Sequence, residues 1–225
     1  TSDLAVIQSI SLQRWSNGAV HSSSGDRVWQ GEFSNLRSPG TYHIYDPAND
    51  VQSFDFDIRE DAYNSILTAS TKSYYYQRSG TAITPEYGEQ WTHGPAHIAN
   101  QLASRMFDNS LGGIQPESTA LDITGGWYDA GDYRKYTSWM AEIIWDLGTA
   151  YEWWPSVFGD QSGIPESGNG TPDILDEIMW EIQWMLKMQR SDGALYSGVF
   201  VIRRDQGFGN GVGDPSTEDR PYYYA

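Results

Sequence analysis

The sequence predicts a chain in two parts, a short antiparallel β module followed by the beginning of a helical domain. Residues 1–60 alternate apolar and polar side chains and carry turn signals about 8 to 12 residues apart, which favours a small antiparallel sandwich. From Asp61 onward the apolar residues recur at helical spacing instead. Only about three or four long helices follow residue 85, and a closed helical barrel needs more, so the helical domain is expected to be incomplete in this chain.

The strands of the β module are predicted from local patterns. Residues 51–58 place Phe54, Phe56 and Ile58 on one face, which is the period of a half-buried strand. Residues 41–45 form a β-branched and aromatic run of the kind that strands favour. The module is short for a complete sandwich, and its first strand is expected to lie upstream of this chain. Turn signals stand at 16–18, 24–26 and 38–40.

Three helices are predicted from apolar residues that recur every three or four positions. The first begins at residue 61 and is expected to end at Gly80. The second covers 96–107 and the third covers 133–154. Their apolar stripes are, in order, Tyr63, Ile66, Leu67 and Tyr74; Ile98, Leu102 and Met106; and Trp139, Ile143, Leu147 and Trp154.

The clearest helix is predicted from Pro172 to about Gln189. Thr171 is a good N-cap, and Pro172 takes the first helical position, where its missing N–H costs nothing. Acidic residues crowd the first turn and basic residues the last, as the helix dipole favours. The glycine-rich stretch 207–213 is predicted to be a surface loop. The core stripe of the helix is Ile174/Leu175, Ile178, Ile182 and Met185/Leu186.

Charge and composition exclude several classes of function. The chain has 14 Lys and Arg against 30 Asp and Glu, a net charge of −16 at pH 7. A protein that binds nucleic acid or an anionic membrane surface needs a basic face instead. No apolar run approaches the roughly 18 residues of a membrane helix. Without cysteine there is neither a disulfide framework nor a thiolate metal site.

Aromatic residues are unusually frequent, with 10 Trp, 15 Tyr and 7 Phe. Composition favours a role in the core, because aromatic side chains bury the largest area per residue. The alternative is that some of them form stacking platforms for flat apolar faces such as those of sugar rings. An acidic, aromatic-rich chain is compatible with extracellular polysaccharide chemistry.

The densest cluster of candidate functional residues is GGWYDAGDYRKY, at 125–136. Asp129 and Asp132 stand three residues apart just before a predicted helix, so both side chains can point the same way and the helix dipole would hold them ionised. An ionised pair near aromatic rings suits a general base that activates water beside a sugar ring. Aspartates before a helix are also common caps, and Asp-rich loops often bind calcium. These residues alone leave both interpretations open.

The string GGWYDAGDYRKY resembles the catalytic signature of glycoside hydrolase family 9, the inverting cellulases. Further segments match in the expected order, so the resemblance covers nearly the whole chain and is specific. The segments are 33–36, 40–42, 53–58, 74–80, 169–177 and 184–189. The first four are similar to the family's N-terminal immunoglobulin-like domain and its junction with the catalytic barrel, and the last two to the helix that follows.

The resemblance implies a fold and a division of roles. A partial immunoglobulin-like β-sandwich is implied over 1–80, and the first part of an (α/α)6-barrel catalytic domain over 81–225, in a chain truncated at both ends. Asp132 is implied as the general base that deprotonates the attacking water, and Asp129 as the partner that holds the same water. The family's general acid is a Glu far downstream, beyond the length of this chain, and none is assigned.

The resemblance implies a secreted endo-β-1,4-glucanase that cleaves cellulose or a related β-glucan with inversion. Its partners would be a β-glucan polysaccharide or cello-oligosaccharide and the missing remainder of the barrel as another chain, with no nucleic acid and no membrane. The alternative is a non-catalytic carbohydrate-binding or scaffold fragment, which would need only the aromatic faces.

No cofactor is expected for the chemistry. Some members of the family hold zinc near the domain junction through cysteines at the positions of Ser79 and Ala96, with His nearby; Ser and Ala supply no thiolate, so zinc is not expected. His93 and His97 are interpreted as hydrogen-bonded structural residues. Structural calcium is frequent in the family, and its ligands are not assigned here.

Overall fold

The computed structural model describes residues 5–200 and 220–224 and divides the chain into two compact units, Thr1–Asn64 and Ser65–Ala225. This division lies before the predicted boundary at residue 80, because helix α1 (Asn64–Gln77) contributes Tyr74 and Tyr75 to the cores of the second unit. Within the described ranges, no helix is both long enough and apolar enough to cross a bilayer. The stretch 207–213, predicted to be a surface loop, lies outside the described residues.

The first unit is built from short antiparallel strand pairs. The strands of its described part are β1 (Gln13–Arg14), β2 (Trp29–Gln30), β3 (Gly40–Tyr42), β4 (Tyr45–Asp46), β5 (Val51–Gln52) and β6 (Phe56–Ile58). The pairs are β1 with β2, β3 with β6, and β4 with β5. None of the residues described between 5 and 64 is buried. The prediction of antiparallel strands is confirmed, whereas their assembly into a sandwich stays a prediction.

The single strand predicted over 51–58 is interrupted at its centre. The Oγ of Ser53 accepts a hydrogen bond from the amide of Ile44 at 2.9 Å and donates one to the carbonyl of Phe54 at 2.8 Å. The amide of Ser53 still donates to the carbonyl of Ile44 at 2.8 Å, so a side chain replaces only one of the two main-chain bonds at this pair. Phe54 is consequently 96% exposed, while Phe56 and Ile58 are half-buried as predicted.

The second unit combines helices with one mixed sheet. Besides α1, the described helices are α2 (Pro85–Gly88), α3 (Ile98–Leu102), α4 (Thr137–Trp153) and α5 (Asp173–Lys187). The described strands are β7 (Met106–Asp108), β8 (Gly113–Ile114), β9 (Lys135–Tyr136), β10 (Gly198–Val199) and β11 (Tyr222–Tyr223). The sheet order is β8-β7-β11-β10-β9; β7 and β11 are parallel, and the other pairs are antiparallel.

The main core lies where α4, α5 and the sheet meet, and a smaller cluster of Tyr75, Ile83 and Ile164 forms a second core. Met140 of α4 and Trp184 of α5 are both buried in the main core. Its buried members are Ile123, Trp127, Met140, Trp184, Met188, Val199 and Tyr222.

The prediction of one helix over 96–107 is wrong beyond Leu102. The chain leaves the helix at Ala103 and then pairs β7 with β11, and Ser104 forms an isolated bridge with Leu121. Pairing with segments distant in sequence therefore overrides the local helical pattern. The predicted stripe is also wrong, since Ile98 and Leu102 are exposed.

The other three predicted helices are confirmed with shifted ends and faces. The first ends at Gln77, before Gly80, and buries Thr71 and Tyr75 rather than Ile66. The third begins only at Thr137, because the two preceding residues belong to β9. Within it, Ile143 and Leu147 pack against the core as predicted, whereas Trp139 and Trp154 are exposed.

The fourth predicted helix corresponds to α5. Pro172 occupies the N-cap rather than the first helical position, so Thr171 is not the cap. Ile174 and Ile178 are buried as predicted, but Leu186 is 63% exposed. The buried face is Asp173, Ile174, Glu177, Ile178, Glu181 and Trp184.

Candidate active site

Asp129 and Asp132 lie in a tight turn that leads into β9. The amide of Asp129 donates a hydrogen bond to the carbonyl of Arg134 at 2.9 Å, and the amide of Tyr133 donates one to the carbonyl of Ala130 at 3.0 Å. Tyr133 has a φ of 57°, in the left-handed region where the chain reverses. The turn therefore brings the two predicted carboxylates together on a backbone closed by its own hydrogen bonds.

The helix dipole that was expected to keep both aspartates ionised is absent from this geometry. Helix α4 begins at Thr137, and β9 separates it from the turn. Burial, together with the neighbouring carboxylate of Asp132, instead raises the pKa of Asp129 to about 6. Asp129 thus takes up a proton more readily than an ordinary aspartate, which is the opposite of the expectation.

Asp132 is buried, and its Oδ2 lies 2.9 Å from Nε of Arg134. The second oxygen, Oδ1, is buried as well and has no hydrogen-bond partner among the described residues, and the same is true of Oδ1 of Asp129. A buried polar atom normally has a partner. Each carboxylate therefore has one oxygen whose hydrogen-bonding capacity is unused by the described residues.

Arg220 holds the far side of the turn. Its guanidinium donates to the main-chain carbonyls of Asp132, at 3.3 Å, and Tyr133, and the side chain is 1% exposed. The carbonyl of Arg220 in turn accepts a hydrogen bond from Oγ of Ser104 at 2.7 Å. Residues just before β11 therefore fix the turn from a position far along the sequence.

The segment that precedes the turn, residues 126–128, is hydrogen-bonded to the end of α1 and the residues that follow it. The amide of Ser79 donates to the carbonyl of Gly126, and the amide of Tyr128 donates to the carbonyl of Gln77, both at 2.8 Å. The backbone that enters the turn is therefore fixed on both sides of Trp127.

Sequence reasoning missed two residues of this site, Glu177 and Glu181 of α5. Glu181 Oε2 accepts the main-chain N–H of Trp127 at 2.6 Å, and Glu177 Oε2 accepts the indole N–H of the same residue at 3.2 Å. Both side chains are fully buried, and burial raises the pKa of Glu177 to about 7 and that of Glu181 to about 8. The sequence did contain a signal: Glu177 and Glu181 are four residues apart and each follows an apolar residue of the predicted core stripe, Ile174 or Ile178, by three positions. Residues three or four apart lie on the same face of a helix.

Arg78 links Glu177 to the loop before α5. Its Nη1 and Nη2 donate to the two carboxylate oxygens of Glu166, both at 2.9 Å, and its Nη2 lies 3.0 Å from Oε1 of Glu177. The guanidinium also lies 4.5 Å from the ring centroid of Trp180. A buried, bidentate arginine between two carboxylates is a strong and directional contact.

Gly126 allows the segment before the turn to approach α5 closely. Its φ is 73°, and a Cβ at this position would lie 2.7 Å from Cγ and Cδ2 of Trp184. We expect Gly126→Ala to lower the free energy of unfolding by about 1–3 kcal/mol, because the ring must shift and the backbone is strained. Gly148→Ala is the control: it meets open space within α4 and should raise stability by up to about 1 kcal/mol. Denaturant titrations measure both, and an unchanged Gly126→Ala protein would contradict this packing.

Ser79 and His97, two of the residues at the family's zinc position, form hydrogen bonds with other side chains. The side-chain amide of Gln101 donates a hydrogen bond to Oγ of Ser79 at 3.0 Å. Ala96 is buried, and Nδ1 of the next residue, His97, lies 2.7 Å from the hydroxyl of Tyr128. These side chains offer no thiolate and do not fit the zinc ligand set. Across the described residues, no group of three or more His, Asp or Glu could hold a metal ion. The expectations for zinc and calcium stay predictions.

Comparison with known proteins supplies an independent line of evidence. Among curated proteins, the chain is 34% identical over 167 residues to a xyloglucan-specific endo-β-1,4-glucanase of Bacteroides ovatus, covering 73% of this chain and 28% of that enzyme. It is 33% identical over 175 residues to endoglucanase D of Acetivibrio thermocellus, covering 75% of this chain and 26% of that enzyme. The chain thus spans between a quarter and a third of the length of these relatives.

Solved structures give the same result. A metagenome-derived endoglucanase of glycoside hydrolase family 9 matches with a TM-score of 0.73 and 35% identity, covering 89% of this chain and 35% of that one. The sequence model of glycosyl hydrolase family 9 matches residues 63–225, a range that begins within two residues of the structural division between the units. The chain therefore belongs to glycosyl hydrolase family 9.

Proposed function

We propose that the full-length protein is an endo-β-1,4-glucanase that cleaves a β-glucan with inversion of configuration. Membership of the family supports this activity, and the curated relatives are named for it. The observation that carries the proposal is the pair of carboxylates in one turn, each with a buried oxygen that has no partner in the described part of the chain. Because the chain spans only part of its relatives' length, the activity is assigned to the whole protein.

The roles of the two aspartates follow from their surroundings. Asp132 accepts the proton of the attacking water through Oδ1, while Oδ2 forms an ion pair with Nε of Arg134, 2.9 Å away. Asp129 accepts the second hydrogen of the same water. Water then attacks the anomeric carbon from the face opposite the departing sugar, which gives inversion.

The general acid is not assigned within this chain. An inverting enzyme places that acid roughly 6.5–9.5 Å from the base, so that water fits between base and sugar. Glu177 and Glu181 have raised pKa values, as an acid requires, but both are fully buried and bonded to Trp127. A side chain enclosed in this way cannot reach the oxygen of a leaving sugar.

The finer architecture and the location of the protein are part of the same proposal. The first unit would be part of an immunoglobulin-like sandwich, which its three antiparallel strand pairs support. The second unit would be the first part of an (α/α)6 barrel, which its likeness to endoglucanases of the family supports. A polysaccharide substrate implies an extracellular protein.

Hydrolysis is tested on the full-length protein with carboxymethylcellulose and xyloglucan. Release of reducing ends from either polymer, with new α-anomers seen by proton NMR before mutarotation, is the expected result. Binding to both polymers without release would favour the alternative, a non-catalytic carbohydrate-binding protein. Release with retained configuration would overturn the assigned roles of Asp129 and Asp132.

The raised pKa of Asp129 predicts the acid side of the pH profile. Below a pH of about 6 this carboxyl takes up a proton and can no longer accept a hydrogen bond from water in the same way, so kcat should fall. In Asp129→Asn the overall rate should be lower and this inflection absent, as measured by kcat between about pH 4 and 8. His93→Gln, which removes an imidazole from outside the turn, is the control. An inflection that persists in Asp129→Asn would assign it to another group.

A further inference from the structure

The backbone that enters the catalytic turn is held by three consecutive amides. Trp127 donates to Oε2 of Glu181 at 2.6 Å, Tyr128 donates to the carbonyl of Gln77 at 2.8 Å, and Asp129 donates to the carbonyl of Arg134 at 2.9 Å. Two of these acceptors are main-chain carbonyls, and the third is a side chain. Glu181 is therefore the contact that a substitution can remove without changing the backbone.

Glu177 holds the same tryptophan from its other end. Its Oε2 accepts the indole N–H of Trp127 at 3.2 Å, and Arg78 bonds to this carboxylate. The indole of Trp180, from the same helix, donates to the carbonyl of Gly126 at 3.1 Å. Helix α5 therefore fixes position and orientation of the residue that lies two places before Asp129.

Stability alone does not explain the buried carboxyl groups of Glu177 and Glu181 on α5. Oε1 of Glu181 is buried without a hydrogen-bond partner in the described part of the chain, and the nearby cation, Lys135, directs its ammonium to Gln101 and two main-chain carbonyls. Replacement of both partners of a buried ion pair by apolar side chains of similar volume is often neutral or stabilising, so a buried carboxyl group is weak evidence for a stabilising role. The hydrogen bond that the carboxyl group of Glu181 does form is to the main-chain N–H of Trp127.

We propose that Glu181, supported by Glu177, is a positioning residue that sets the place of Asp129 through Trp127. This inference rests on the proposed function. Loss of the bond to Trp127 would let the segment that enters the turn move away from α5, and Asp129 would move with it. A displacement of about 1 Å in a catalytic group can cost about a hundredfold in rate, although no contact with substrate is lost.

The test compares Glu181→Met with Glu181→Gln in the full-length protein. Met removes the acceptor and keeps an unbranched side chain, so kcat should fall by about tenfold to a hundredfold with KM changed by less than about twofold. Gln keeps an oxygen that accepts the amide of Trp127, so kcat should stay within about threefold of the unsubstituted enzyme. Gln183→Met, on the exposed face of the same helix, is the control and should leave kcat unchanged.

Hydrogen–deuterium exchange of the amides of residues 127–129 gives a readout that does not depend on activity. Exchange should be faster in Glu181→Met than in Glu181→Gln, while the melting temperatures of the two proteins stay close. If the Met protein fails to fold, Glu181→Ala replaces it in the same two measurements. Unchanged exchange overturns the positioning role whatever the activity, and faster exchange with unchanged kcat overturns its link to catalysis. If the unsubstituted protein is inactive but exchange is faster in the Met variant, the proposed function is refuted, whereas the role of Glu181 in holding Trp127 is supported.

Discussion

We expect Asp132→Asn to lower kcat of the full-length enzyme by about 10²- to 10⁴-fold, the range that a positioned general base contributes. Asn keeps the shape of the side chain, and its carbonyl oxygen can remain beside Nε of Arg134, which lies 2.9 Å from Oδ2 in the native residue. The amide cannot take a proton from water. KM should change little, because the contacts with bound substrate are otherwise the same.

Two further proteins make this result specific. Asp192→Asn removes an exposed carboxylate that pairs with Arg190, and its kcat should match that of the unsubstituted enzyme. Asp132→Gly opens space for a small anion, so added azide should attack the anomeric carbon directly and give the glycosyl azide of inverted configuration. Full activity in Asp132→Asn would return Asp129 and Asp132 to a role as caps or calcium ligands.

The sequence predicted that the two aspartates lie together but misjudged the electrostatics of Asp129. Their chemistry depends on residue types three positions apart, which a single chain displays directly. The pKa of Asp129 depends instead on burial and on where the next helix starts, and β9 displaces that start to Thr137. The start of α4 is set by the pairing of β9 with β10, whose residues lie more than sixty positions away.

Sequence reasoning missed the partners of Trp127, Glu177 and Glu181, for a different reason. A glutamate on an amphipathic helix is ordinarily assigned to the solvent side, and Glu177 also suited the helix dipole. Its buried position becomes understandable only when Arg78, from the end of α1, is placed beside it. Similarly, the parallel pairing of β7 with β11 places Met106 in a strand, although its spacing from Ile98 and Leu102 is helical.

The largest loss of stability is expected from Arg78→Met. This guanidinium is 2% exposed and compensates both Glu177, which is fully buried, and Glu166. Removing one partner of a buried ion pair leaves an uncompensated charge and costs about 3–5 kcal/mol. Arg190→Met removes a partly exposed pair in the same unit and should cost less than about 1 kcal/mol.

The pH dependence of the Arg78→Met defect identifies its cause. Arg78 lowers the pKa of Glu177 against the raising effect of burial, so without the arginine this pKa rises further above its ordinary value. Between the ordinary pKa of 4.5 and the raised pKa, the native state keeps a proton that the unfolded chain has already released, so stability falls as pH rises. Without Arg78 this fall continues above about pH 7, where it ends in the unsubstituted protein. Denaturant titrations should therefore show a larger defect at about pH 8 than at about pH 5. Adding Glu177→Gln should recover part of the loss at the higher pH, because the neutral side chain needs no cation. An equal defect at both pH values would mean that Arg78 acts through its packing on Tyr75 and Trp180 rather than through its charge.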